Sequence, residues 1–166
     1  ISKVEYVFTN VYDVNKTIND LVNLYSLNNK VYFIPGGGHN KLGTKAYMDV
    51  YNQILNYEIR NEVIFDYIFL ASGTGSTQAG LIVGKIVNEK KHEIIGNSIA
   101  RDKHKGTDVI KNSLLEYGYN DIKYEKEISF LDDYLLGGYG KYNEDLKTLI
   151  IETYKKEGVP LDPTYT

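Results

Sequence analysis

The stretch LASGTGSTQAG, Leu70 to Gly80, decides how the chain is read. An apolar run, DYIFLA (Asp66 to Ala71), feeds a loop of glycines and hydroxyl residues, and an amphipathic segment from Thr77 to about Glu89 follows. The order is strand, tight loop, helix. A nearly continuous apolar run is what a strand covered on both faces looks like, so DYIFLA reads as a central parallel strand. The loop sets several backbone N–H groups and the hydroxyls of Thr74, Ser76 and Thr77 at a helix N-terminus. Unpaired donors and the positive end of the helix dipole favour an anion there, with phosphate the natural guest. The plainer alternative is a Ser/Thr helix cap with glycines for a tight turn.

Working outward, the same alternation recurs. VEYVF (Val4 to Phe8) reads as a strand, and Val14 to Leu27 as a helix with Ile18, Leu21, Val22 and Tyr25 on one face. KVYFI (Lys30 to Ile34) is a second strand, followed by PGGGHN and a helix from Lys41 to about Tyr57. After the central unit come a strand at Glu93 to Ala100, a helix at Lys103 to Tyr117 and a strand at Glu127 to Leu131. GGYG then leads to a helix from about Asn143 to Lys156, ended by Gly158 and Pro160. Five β-α repeats predict one α/β domain over residues 1–166, with an open, mostly parallel sheet flanked by helices. Ligands of such sheets bind outside the carboxyl ends of the strands. Gly36-Gly37-Gly38, Gly73-Thr74-Gly75 and Gly137-Gly138-Tyr139-Gly140 all fall at that edge and are expected to converge.

Composition narrows the function. At 166 residues, 42% hydrophobic and 25% charged, the chain suits one ordinary globular core. A net charge of -3 argues against binding nucleic acid, whose backbone is held by clustered Lys and Arg. No apolar run approaches the roughly 20 residues that span a bilayer, and ISKVEYVFTN lacks the layout of a signal peptide, so no membrane partner is expected. Without cysteine the chain has no disulfide or thiolate chemistry, and the cytoplasm is the default compartment. His39, His92 and His104 are scattered and lack metal-ligand spacing.

Other phosphate motifs fit poorly. No Gly-Lys-Ser/Thr follows the loop, which excludes a Walker A site, and Gln78 stands where a dinucleotide fingerprint needs its third glycine. Asp102 offers a ribose ligand, but Arg101 beside it weakens the NAD reading. His39 and Asn40 invite a catalytic role, against the commoner one of a cap or surface residue. The paired Asp132 and Asp133 read as a solvated turn rather than an acid–base couple. With sixteen tyrosines any single one says little; Tyr139 between glycines and Tyr165 after LDP stand out by context. The first residue is Ile1 and the last residues are LDPTYT, and the expectation from both ends is a fragment of a longer protein.

Four motifs taken together, IPGGGHNKLGTKAY, LASGTGSTQAGLIVG, DDYLLGGYG and EGVPLDPTYT, resemble in order and spacing the family of D-cysteine desulfhydrases and 1-aminocyclopropane-1-carboxylate (ACC) deaminases. These are pyridoxal 5'-phosphate (PLP) enzymes with the tryptophan synthase β-subunit fold. The resemblance implies that Gly73, Thr74, Gly75, Ser76 and Thr77 cup the PLP phosphate. It places Gly37 and Gly38 beside cofactor and substrate, and Tyr139 and Tyr165 near the PLP ring in binding or proton transfer. It further implies a small amino-acid substrate and a homodimer for the intact enzyme.

The family's Schiff-base lysine and the Ser/Asn-rich loop after it have no match here, so the chain resembles a large-domain fragment without its lysine, expected to be inactive alone. Lys41, at a helix start after GGGHN, is a poor substitute. ACC deaminases of the family carry a glutamate after the tyrosine matching Tyr165, whereas desulfhydrases carry a small hydroxyl residue, and this chain has Thr166. D-cysteine desulfhydrase is therefore the expected activity. ACC deaminase and a non-catalytic phosphate-ligand binding domain are the alternatives.

Overall fold

The computed structural model describes residues 4–120 and 122–165. They fall into two compact units, one running to Pro35 and the other from Gly36 onward.

In the first unit the helix α1, Val14–Ser26, forms where the apolar periodicity places it. The leading segment is tied to it by Tyr25 Oη donating to Glu5 Oε2 at 2.8 Å and by the Thr17 and Thr9 hydroxyls at 3.0 Å. The strands expected at residues 4–8 and 30–34 are not found: among the described residues neither run joins a ladder. A strand is completed by a neighbour's N–H and C=O groups, so apolar alternation without a paired neighbour leaves only extended chain. Phe8, 93% exposed, shows how little these runs bury within the described residues.

The second unit holds the sheet. Its elements are α2 (Lys41–Asn61), β1 (Tyr67–Ser72), α3 (Ser76–Val87), β2 (Glu93–Ser98), α4 (Lys103–Glu116), a short α5 (Ile122–Glu125), β3 (Ser129–Leu131) and α6 (Glu144–Glu157). Among the described residues the strands lie in the order β1-β2-β3 and every pairing is parallel. Tyr67 pairs with Glu93 and Ser72 with Ser98, and Ile95 pairs with Ser129. The parallel α/β architecture is as expected, but β1 lies at the edge of the described sheet rather than its centre, and Tyr67 and Phe69 on it stay exposed. An apolar run identifies a strand that can be covered on both faces, not the neighbour that covers it.

The core lies on the helical face of the sheet. Ile94 and Phe130 meet Tyr51 from α2, Ala79, Ile82 and Val83 from α3, and Ile110 and Leu114 from α4. Each fully buried aliphatic side chain contributes about 1.5–3 kcal/mol. Glycines set the helix distances. A Cβ on Gly80 would fall 2.3 Å from the Thr44 carbonyl oxygen, and one on Gly84 would fall 2.5 Å from Tyr51 Cβ. On Gly106 it would lie 2.1 Å from the Phe130 ring, and on Gly96 1.9 Å from Gln78 Oε1. Gln78 is fully buried and donates from Nε2 to the Ser129 carbonyl at 2.6 Å. The close helix–strand approach that a dinucleotide fingerprint obtains from its third glycine is obtained here from Gly96 in the strand, with Gln78 filling the gap.

Beyond the far ends of the strands sits a buried polar chain. Tyr51 Oη lies 2.5 Å from His92 Nδ1, and His92 Nε2 lies 3.0 Å from Glu58 Oε1, which also accepts from the Phe65 N–H at 2.7 Å. A neutral ring with its proton on Nε2 satisfies both partners, accepting from the phenol and donating to the carboxylate. Burial first, and the Glu58 charge second, push the Tyr51 phenol well above its ordinary range.

Two outcomes follow. Gly80→Ala gains about 1 kcal/mol of helix propensity but must overcome backbone overlap, so it is expected to lose about 1–3 kcal/mol net in urea unfolding, whereas Gly36→Ala, with open space around it, should stay within about 0.5 kcal/mol. The raised Tyr51 pKa means that the unfolded chain ionises first. Its stability contribution is full below about pH 10 and is lost as pH rises from there toward the folded value. Tyr51→Phe should flatten the fall in unfolding free energy above about pH 10; an unchanged slope would show that Tyr51 does not carry it.

Candidate functional site

The loop between β1 and α3 is built from two tight contacts and one open helix end. Gly75 is the N-cap of α3 with φ +93°, a conformation only glycine adopts freely, and its space is closed by Val109 of α4, 3.1 Å from where a Cβ would lie. No side chain caps α3, and its first turn carries no carboxylate. The Ser/Thr cap considered from sequence is therefore not made. By contrast Asn40 caps α2 by accepting from Gly43 N–H at 2.9 Å, Asp102 caps α4 by accepting from Lys105 N–H at 2.8 Å, and Asn143 caps α6 by accepting from Leu146 N–H at 2.9 Å. The start of α3 keeps its donors for something else.

Around that end the predicted residues assemble in part. Gly36–Gly38 forms a single 3-10 turn with Gly37 at φ +68°, packed so closely on the loop that a Cβ on Gly37 would fall 2.7 Å from Thr74 Cγ2. His39, half-buried, sets its Nδ1 3.0 Å from the Ser76 hydroxyl, itself 2% exposed. Thr74 and Thr77 are half-buried. The Arg101 guanidinium donates to the Gly73 carbonyl, turning a basic group onto the loop, while Arg101 N–H donates to Ser98 Oγ at 2.9 Å. Asp102 serves as the α4 cap, and that backbone hydrogen bond holds its carboxyl below the ordinary range. Asp132 accepts from Lys103 N–H at 2.7 Å, a second support for the same helix start.

Tyr139 and Tyr165 meet directly, with hydroxyl oxygens 2.6 Å apart and rings edge to face at 6.2 Å. The hydrogen bond to Tyr139 is the main cause that raises the Tyr165 phenol above its usual pKa. Tyr165 lines a cleft of about 900 Å³ over the exposed sheet face, with Phe69, Asn97, Ile99, Leu131 and Gly138. Ile99 joins this cleft to the loop, its Cδ1 lying 3.0 Å from where a Cβ on Gly73 would be. The three glycine loops thus lie along one edge, after the carboxyl ends of β1 and β3 and before α2. Gly73 to Thr77 stand beside the cleft rather than in its lining. Thr166 lies outside the described residues.

Sequence reasoning missed the His39–Ser76 contact and the role of Arg101. The partners are 37 and 28 residues apart. Spacing carried no signal for either; only the α2–α3 packing and the β1–β2 pairing bring them together.

These residues fit a phosphate group: an uncapped helix start free of carboxylates, two hydroxyls half-buried beside it, a turn without a Cβ against it, and a buried Ser72 hydroxyl immediately before the loop with no partner among the described residues. Lys41 is exposed, with Nζ 5.5 Å over the Tyr117 ring.

No protein-family model matches the chain. It is 35% identical over 141 residues to a Pyrococcus furiosus protein named as a candidate 1-aminocyclopropane-1-carboxylate deaminase, covering 82% of this chain and 42% of that protein. It is 32% identical over 142 residues to a Klebsiella pneumoniae D-cysteine desulfhydrase, covering 81% and 41%. A crystal structure of an ACC deaminase homologue superposes with a TM-score of 0.79 at 27% identity, over 97% of this chain and 49% of that one. The chain spans about two fifths of the length of the curated relatives it matches.

Inorganic phosphate titrated into the ¹⁵N-labelled chain is expected to shift the Ser76 and Thr77 amides most, with millimolar affinity. Shifts confined to other residues would remove the site.

Proposed function

We propose, since this chain belongs to the family of the ACC deaminases and D-cysteine desulfhydrases, that it carries the phosphate cup and the proton-handling tyrosines of a PLP-dependent lyase, and that this lyase acts on D-cysteine. The observation that supports the reading best is the start of α3, whose donors meet no capping side chain and no carboxylate. Gly73 to Thr77 would hold the phosphate there by backbone N–H groups and hydroxyls. When bound, PLP supplies an electron sink for the carbanion left by loss of a Cα proton from an amino acid.

The chain's own residues position and move protons. Gly37 and Gly38 leave room for substrate and cofactor to approach the backbone. Tyr165 is hydrogen-bonded to Tyr139, which raises its phenol above the usual pKa, and either hydroxyl can be the donor. The pair holds a proton between two phenol oxygens at the mouth of the cleft, where it can be passed on. D-cysteine that loses its Cα proton would expel sulfide and, with one water to hydrolyse the imine, end as pyruvate and ammonia. ACC would require ring opening and likewise one water, giving 2-oxobutanoate and ammonia. A threonine hydroxyl, the group the sequence has at position 166, can hydrogen-bond, but it does not serve as a carboxylate acid–base group near neutral pH, and thiolate is a leaving group that needs little help. That residue supports D-cysteine as the substrate. The isolated chain is inactive in this reading, because its sequence has no counterpart of the motif that carries the family's Schiff-base lysine.

Assayed on the full-length gene product, D-cysteine should give sulfide and pyruvate with a higher kcat/KM than ACC gives 2-oxobutanoate; the reverse order would refute the substrate. Tyr165→Phe should lower kcat by about 10²–10⁴-fold with cofactor content unchanged. Borohydride reduction of the isolated chain with PLP should leave no stoichiometric lysine adduct, and an adduct mapped to Lys41 would overturn the inactive reading.

A further inference from the structure

The half-buried His39 is in hydrogen-bond contact with the cup. Its Nδ1 stands 3.0 Å from the hydroxyl of Ser76, the first residue of α3, and Ser76 is 2% exposed, so its O–H has few directions to choose from. With a bare Nδ1 the imidazole accepts the Ser76 proton, and the hydroxyl turns an acceptor lone pair toward the helix end. The imidazolium, which always carries a proton on Nδ1, donates, and the Ser76 O–H is released to donate to an anion beside an added positive charge; the neutral Nδ1–H tautomer frees the same O–H without that charge. A dianion facing the lone pairs of that hydroxyl is repelled, whereas a charge-assisted donor is among the stronger hydrogen bonds.

We propose that His39 is a positioning residue for the anion cup: a proton on its Nδ1 turns the Ser76 hydroxyl outward, and anion binding is thereby linked to uptake of that proton. The proposal rests on reading Gly73 to Thr77 as the cup. The surrounding charges leave His39 this role. The first turns of α2 and α3 carry no carboxylate. Lys41 lies over the Tyr117 ring, and Arg101 is engaged by the Gly73 carbonyl. On α4, Asp102 pairs with Lys105 and Asp108 with His104, and on α2 Lys45 pairs with Asp49. Imidazole is the side chain that changes charge between about pH 5 and pH 8, so the linkage is readable in that range.

Sulfate is the probe, because it stays a dianion across the range while phosphate itself titrates. Sulfate affinity, followed by the Ser76 and Thr77 amide shifts, should be about tenfold tighter at about pH 5.5 than at about pH 8.5. Calorimetry in buffers of different ionisation enthalpy should show up to one proton taken up per sulfate. His39→Ala should bind weakly with no pH dependence. His39→Asn, whose amide N–H donates to Ser76 without titrating, should restore affinity and stay flat with pH. Both variants keep every other charged group, so a pH dependence that survives in them overturns the proposal, as does equal wild-type affinity at both pH values. Sulfate that leaves the Ser76 and Thr77 amides unmoved at every pH overturns the cup itself, and the His39 proposal with it.

Discussion

The second unit depends on how closely α2 lies against α3. Gly80 meets the backbone of Thr44, Gly84 meets the Tyr51 side chain, and Asn88 Nδ2 donates to Asn52 Oδ1 at 2.9 Å, so residues advance together along both helices. The helices are therefore parallel, and both begin at the same edge of the sheet. A methyl group at either glycine would push them apart. That one distance puts the turn at Gly36–Gly38 against Thr74 and His39 against Ser76, since both lie immediately before or at the start of these helices.

Parallel helices beginning side by side present like dipole ends to one another, a cost that an anion at the shared edge relieves. The molecule meets this cost at two of the three starts with its own side chains. Asn40 caps α2 and Asp102, a carboxylate, caps α4. The start of α3 between them is left to Gly75, which has nothing to cap with. Arg101 reinforces the asymmetry by binding the Gly73 carbonyl. The open helix end is thus flanked by closed ones, an arrangement that would confine an anion to one place.

The amino edge of the same sheet is closed by side chains instead. Tyr51, His92 and Glu58 link α2 to the segment before β2, and Glu58 also takes the Phe65 N–H ahead of β1. Each hydrogen bond contributes only about 0.5–1.5 kcal/mol, but leaving one of these buried groups unpaired would cost about 1–3 kcal/mol. Buried polar ties at one edge and glycine contacts along the helices leave the carboxyl edge as the place where donors remain unspent, and there the tyrosine pair and the cleft also lie.

The helices and the parallel α/β class were legible in the sequence, and the loop from Gly73 to Thr77 stood out there as a candidate anion site, because each rests on local chemistry: 3.6-residue periodicity, a continuous apolar run, and donors at a helix start. Tyr139 and Tyr165 each stood out by context, but their 2.6 Å contact did not. Which apolar runs pair is set by tertiary packing. Residues 4–8 and 30–34 have the pattern of strands without joining a ladder among the described residues, while DYIFLA stands at the edge of the described sheet. Pairing belongs to two segments at once, and no single run encodes it. For the same reason Gln78 breaks a glycine fingerprint in the sequence yet packs against Gly96 in the fold. His39 and Arg101 gained their roles from partners 37 and 28 residues away, which chain packing, and not spacing, brings within reach.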